Sequence, residues 1–354
     1  MVNYNINIQV LFELVKAGLW EKEARLSAYS KIDYDEVYFL AEGQDVLGLV
    51  AAGFEHLSDV KPPQDVVLQF VGQTLQIEQR NVAMNKFIAD VVEKMRMADI
   101  YTLLLKGQGV AQCYERPLWR SSGDVDLFLS ETNYLRAKNF LLPMSSGNKP
   151  ERQYSKEMGL SIDPWYVEIH GTQRTGLSMR VDLAVDDVQR DVFDNGNVRS
   201  WTNGDTQVFS PSANNDVFFV FTHFIKHFYN EGMNLRQVCD LCRLLWTYRT
   251  VIDRKMLYNR LYQAGLMSEW YVFAAFAVNY LGMPEDAMPL YNPATKWSKK
   301  AIRLVNVIIN GDAAKKLKYV FSIARIFPAN TVRFSPCIFF YLNRLKIKEM
   351  IFKK

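Results

Sequence analysis

Cysteine and histidine are scarce in this chain, with four of each in 354 residues. The cysteines, Cys113, Cys239, Cys242 and Cys337, are scattered, which excludes a disulfide framework. Cys239 and Cys242 are three apart, but no second pair completes a zinc site, so they read as packing thiols. That usage suits a reducing compartment, and the expected location is the cytoplasm. Long apolar runs are missing too. The longest uncharged one, Trp270 to Met283, is interrupted by Asn279 and is too short to span a bilayer. The opening MVNYNINIQVLFELVKAGLW meets acids early and does not read as a secretory leader. No repeat or low-complexity segment occurs.

What is present is an ordinary globular composition, 49% apolar and 23% charged, with room for two or three domains. The formal net charge of +4 hides an asymmetry. From Lys299 onward there are 13 Lys/Arg against Asp312 and Glu349, which leaves 29 bases against 36 acids in the rest. A basic tail on an acidic body follows. It docks on that body or, as the alternative, meets an anionic membrane surface or nucleic acid. Residues 1–98 read as a helical region, 99–205 as an α/β core, 206–310 as a second helical region and 311–354 as the tail. In the first, Asp33 is an N-cap with acids following it, and Asp65 to Met97 is an amphipathic helix that leads into the core and packs on its sheet.

The informative stretch runs from Tyr101 to Ser130. Tyr101 to Leu105 is an apolar strand, Lys106-Gly107-Gln108-Gly109 breaks it, and Val110 to Tyr114 is a short helical piece. A loop around Trp119-Arg120-Ser121-Ser122-Gly123 leads to a second strand from Asp124 to Leu129. Alternation puts Asp124 and Asp126 on one face and Val125 and Leu127 in the core. Two carboxylates there repel each other, and Asp is depleted in strands. As a platform for Mg2+ or Mn2+ they make chemical sense, because hard cations take carboxylate oxygens together with substrate phosphates. A solvated strand end with two chance aspartates would spell the same motif; the preceding strand, glycine and helix favour the platform.

Downstream, Trp165-Tyr166-Val167-Glu168-Ile169-His170 is a strong strand whose alternation puts Glu168 and His170 on a shared face. Glu168 is a further carboxylate that could join the aspartates, with Asp182 as its rival and a surface Glu-His pair as the plain alternative. Val181 to about Gly204 reads as a helix and a polar loop. Ser210-Pro211-Ser212 opens the next helix, on which His223 and His227 are four apart without the glutamate of a zinc-protease motif. Arg236 and Asp240 are four apart on the following helix and can pair.

Strand, glycine turn, helix and a strand opening D-x-D resemble the DNA polymerase β-like nucleotidyltransferase superfamily. Lys106-Gly107, Tyr114, Arg120 and Gly123-Asp124-Val125-Asp126-Leu127 resemble one bacterial branch in particular, the "nucleotidyltransferase family protein" group. The resemblance implies an α+β fold: a polymerase β-like core, a mixed sheet with helices, flanked by N-terminal and C-terminal helical regions. It implies that Asp124, Asp126 and Glu168 hold Mg2+ or Mn2+ and carry the reaction. That reaction moves a nucleoside monophosphate from an NTP to a hydroxyl, whether of a small molecule, a sugar, a protein side chain or an RNA end. A hydrophobic-Glu-hydrophobic-His strand agrees with the group, as do a histidine-bearing helix and a following helix with Arg and Asp. Lys106, Gly107, Gln108, Arg120, His170, His227, Arg236 and Asp240 become the expected nucleotide-binding residues. The chain departs from the superfamily at Gln108, where many members carry a phosphate-binding serine, so the grip falls to backbone amides, to Lys106 or elsewhere. An inactive nucleotide-binding protein of the same fold, and a peripheral scaffold acting through the basic tail, are the alternatives.

Overall fold

The computed structural model describes residues 5–311 and 315–334. Three helices open the chain: α1 (Ile6–Trp20), α2 (Tyr34–Gly43) and α3 (Leu47–Glu55). Asp33 caps α2 as its side chain accepts from the Glu36 amide at 3.0 Å. Helices α1 and α3 touch backbone to backbone, and two glycines permit it. A Cβ on Gly18 would stand 2.0 Å from the Leu49 carbonyl oxygen, and one on Gly53 2.2 Å from that of Leu14. Gly53→Ala is therefore expected to force the helices apart and cost about 1–3 kcal/mol, the usual penalty of overpacking. A urea melt with a lowered midpoint at unchanged slope checks it.

Helix α4 (Gln64–Met97) is continuous over 34 residues. Its first half packs Phe70 against Tyr38 and Phe54, and its second half lays Met84, Ile88, Val91 and Met95 under the sheet. It thus couples the N-terminal helices to the core, and it leads toward β1 (Leu103–Leu105), as its apolar spacing predicts. After β1 come α5 (Gly107–Ala111), β2 (Asp124–Phe128), α6 (Glu131–Leu141), β3 (Gly147–Asn148), β4 (Glu157–Ile162) and β5 (Trp165–His170). The sheet order is β1-β2-β5-β4-β3, with β2 and β5 parallel and the other pairs antiparallel. The parallel pair sets the register that matters, Asp126 opposite Glu168 and Phe128 opposite His170. Val125, Leu127, Val167 and Ile169 enter the apolar layer shared with α4 and α6. The acidic positions of both strands therefore face the other way.

Helix α7 (Met179–Phe193) follows, then a hairpin of β6 (Val198–Asn203) and β7 (Thr206–Pro211). The expected polar loop is thus partly strand: the polar residues of VRSWTN form one side of a two-stranded ribbon whose alternate side chains stay in solvent. Seven helices follow among the described residues: α8 (Ala213–Asn230), α9 (Leu235–Thr247), α10 (Arg254–Ala264), α11 (Met267–Leu281), α12 (Thr295–Asn310), α13 (Lys316–Ala324) and α14 (Pro328–Phe334). Helices α8 and α9 cover the sheet face bearing the acids. The architecture is α+β, a mixed sheet between helical regions, as expected. Cys113, Cys239 and Cys242 are buried and unbridged, and burial pushes the Cys113 and Cys242 thiols up to about 11 and about 12, which suits packing. Among the described residues no helix is long and apolar enough to cross a membrane. Residues 312–314 and 335–354 of the basic tail lie outside the described residues, and Cys337 with them.

Candidate active site

The carboxylates converge because two strands with local alternation are paired in parallel. Asp126 on β2 stands opposite Glu168 on β5, and His170 lies two residues further along the same face. Donor atoms of Asp126, Glu168 and His170 lie within 4.8 Å of one another. Asp124 shares the Asp126 face at the mouth of the strand. All four line a cavity of about 650 Å³ roofed by α8 and α9. This oxygen-rich donor set with a single imidazole suits Mg2+ or Mn2+.

The electrostatics follow from crowding. Burial alone would raise the Asp126 carboxyl, but Lys106 and then His170 outweigh it and hold it well below the usual range. The Asp126 charge and burial push Asp124 up. Burial and the Asp126 charge do the same to Glu168. One acid is thus locked ionised while its two neighbours are the more easily protonated.

Lys106 sits on a sharp bend. Its φ of 46° is followed by a φ of 39° at Gly107, a pair that costs about 1–3 kcal/mol at the non-glycine residue. The bend sets the Lys106 ammonium 3.0 Å from Asp126 Oδ1, with His170 Nε2 2.8 Å from the same oxygen. On its other side lies His223, 3.3 Å away, in line with His227 (3.0 Å) and Glu231 (2.9 Å). Burial, then the Lys106 charge, drives His223 well below its ordinary value, so it is neutral and can accept from the ammonium. Lys106, expected on a phosphate, is here the counter-ion to Asp126.

Arg120 and Asp240 meet far from where sequence alone connects them. Arg120 Nε and Nη2 each donate to Asp240 at 2.7 Å, and Tyr114 Oη donates at 2.8 Å. Arg236, four residues from Asp240 on α9, reaches it at 3.4 Å and Asp45 at 3.4 Å. Arg120, Arg236 and Asp240 all line the cavity wall, but Arg120 is committed to Asp240 and acts on the pocket mainly by fixing that wall.

Gln108, expected on the nucleotide, does not line the cavity. Its side chain is 1% exposed and turns to the rear, donating to Asn81 Oδ1 at 2.7 Å and to Ser122 Oγ at 3.1 Å. Asn81 in turn donates to the Leu118 and Arg120 carbonyls at 2.8 Å. The reason is the bend at Lys106–Gly107, which points the next residue into the space between α4 and the loop before β2. Gln108→Ser is expected to cost about 1–3 kcal/mol through the lost bond and the buried Asn81 left short of a donor. Nucleotide affinity should stay within twofold, read by thermal melts beside fluorescence titration; an affinity loss of tenfold or more would put Gln108 back on the ligand. Asp182, the rival third acid, lies on α7, where it accepts from the Thr175 and Gly176 amides away from the carboxylate group.

The cavity also holds residues that the sequence reading passed over: Lys149, Arg152, Glu157, Arg174 and Lys226. One signal was available, since alternation in EMGLSI puts Glu157 on the face shared with Gly159, and Glu157 pairs with His170 in register. Lys226 lies between the two noticed histidines of α8.

A family model described as "Uncharacterised nucleotidyltransferase" matches residues 30–282. Among solved structures, an antigenic nucleotidyltransferase-like protein from Paracoccidioides brasiliensis superposes with a TM-score of 0.33 at 12% identity, over 52% of this chain and 87% of that one. No curated protein matches the chain.

Proposed function

Because this chain belongs to the uncharacterised nucleotidyltransferase family, we propose that it transfers a nucleoside monophosphate from an NTP to an acceptor hydroxyl, with Asp124, Asp126 and Glu168 as the catalytic acids. The observation that carries the proposal is the register of β2 and β5, which brings Asp126 and Glu168 face to face beside a glycine bend. Those acids, with His170 beside them, would hold Mg2+ or Mn2+, which when bound neutralises triphosphate charge and lowers the pKa of the attacking hydroxyl. Lys106 and the backbone of the Gly107 bend hold phosphate oxygens, and Arg236 adds positive charge from α9. His227 and His223 back Lys106. Glu168, facing Asp126 in register, would either complete that cation site or receive the proton of the hydroxyl. The new bond forms between that oxygen and the α-phosphorus, the bond to the bridging oxygen breaks, and pyrophosphate leaves with the electron pair. The protein contributes positioning and preset charge.

The test is incubation with each labelled NTP and Mg2+ or Mn2+, following nucleotide and pyrophosphate separately, beside Asp124→Asn/Asp126→Asn. Metal-dependent pyrophosphate release lost in the double variant supports transfer. Nucleotide bound without release, for every NTP and metal, would favour an inert binding protein.

A further inference from the structure

We propose that the flank of the cavity beyond Glu168, formed by Lys149, Arg152 and Lys226, binds a phosphate group carried by the acceptor. This rests on the transfer reaction above and names its second substrate class. The sheet order separates the cavity into two sides. Lys106 and Gly107 end β1 on one side of the carboxylates, and β4 and β3 lie on the other. In phosphoryl-group transfer the attacking and leaving oxygens lie roughly in line, so two substrates approach the acids from opposite sides. A triphosphate at the Lys106–Gly107 bend leaves the β4 side to the acceptor.

That side is built for an anion. Glu157, first residue of β4 and register partner of His170, holds Arg152 Nη1 at 2.9 Å and Lys226 Nζ at 3.5 Å. Lys149, just after β3, rests its ammonium 4.7 Å above the Tyr166 ring. Arg152 and Lys226 flank Glu157, while Lys149 lies over Tyr166 and feels Glu168, so three cations face two carboxylates and the flank keeps a net positive charge that attracts a phosphate. Arg174 also lines the cavity but is neutralised by its paired bonds to Asp186 at 2.6 and 2.9 Å, so it is not counted. Lysine and arginine donors around a phosphate give charge-assisted hydrogen bonds, the strong kind. Lys226 comes from α8 and the other two from the β3–β4 region, so the group is assembled by the fold and is not a run of surface charge.

The experiment uses the full chain saturated with α,β-methylene-ATP and Mg2+, titrated with inorganic phosphate and followed by ³¹P NMR. The wild type should bind one phosphate. Lys149→Gln/Arg152→Gln/Lys226→Gln should bind it at least about tenfold more weakly, as expected for lost charge-assisted bonds, and bind the analogue as the wild type does. Lys149→Gln alone, at an exposed position, should give a smaller loss with an unchanged melt, which guards against misfolding. Unchanged phosphate affinity in the triple variant would overturn the proposal, as would a wild-type complex that binds none. Loss of the analogue instead of phosphate would overturn it too, since the flank would then hold the triphosphate. A wild type that takes phosphate but binds no α,β-methylene analogue of any of the four NTPs would leave the anion site standing and sink the nucleotidyl-transfer reading.

Discussion

Asp126→Asn is expected to lower the rate of nucleotidyl transfer by at least about 10²–10³-fold, the scale on which preorganised charge at a reaction centre acts. Asp126 is central because three groups depend on it. It is 3% exposed, it accepts from Lys106 and His170, and it faces Glu168 across the parallel pair. Losing its charge removes the anion at the centre of the proposed cation site and the partner of the Lys106 ammonium. The fold should survive. Asparagine keeps the size and one oxygen that can still accept from Lys106, so the stability loss should be about 1–2 kcal/mol, near that of a weakened hydrogen bond. Single-turnover kinetics with labelled NTP beside a thermal melt separates the two effects. A variant retaining more than a tenth of wild-type turnover would remove Asp126 from the reaction.

Arg120→Met should have the largest effect on stability, about 3–5 kcal/mol, because breaking a buried ion pair from one side strands the other charge. Asp240 is 6% exposed and would keep Tyr114 and the weaker contact with Arg236. Replacing both members, Arg120→Met/Asp240→Leu, should recover at least half of the loss, since apolar partners do not leave a buried charge unpaired. The pH dependence has a definite sign. Burial alone would raise Asp240, but Arg120 more than offsets it and holds the folded carboxyl below its ordinary 3.8. The pair's contribution is therefore full above about pH 4 and is lost as pH falls through the lower, folded value. The gap between wild type and Arg120→Met should be widest near neutrality and narrow toward acid. Urea melts from pH 7 to pH 3 read it; a gap that widens in acid would contradict the pairing.

The sequence determined what depends on neighbours along the chain. Period-two alternation put Asp124 with Asp126 and Glu168 with His170, and the break at Lys106-Gly107 marked the bend, because a strand's faces and a turn's geometry are fixed within a few residues. The same locality made α4 and most other helices legible, while the β6–β7 ribbon was missed because its polar residues carry no burial pattern. Pairing across distance was not legible. Arg120 meets Asp240 from 120 residues away, Lys106 meets His223 from 117, and Gln108 turns from the pocket toward Asn81 on α4. Lys149, Arg152 and Lys226 become one flank only when α8 crosses the sheet. Which charges end up sharing a low-dielectric space is decided by helix packing, and no spacing rule in the chain carries that information.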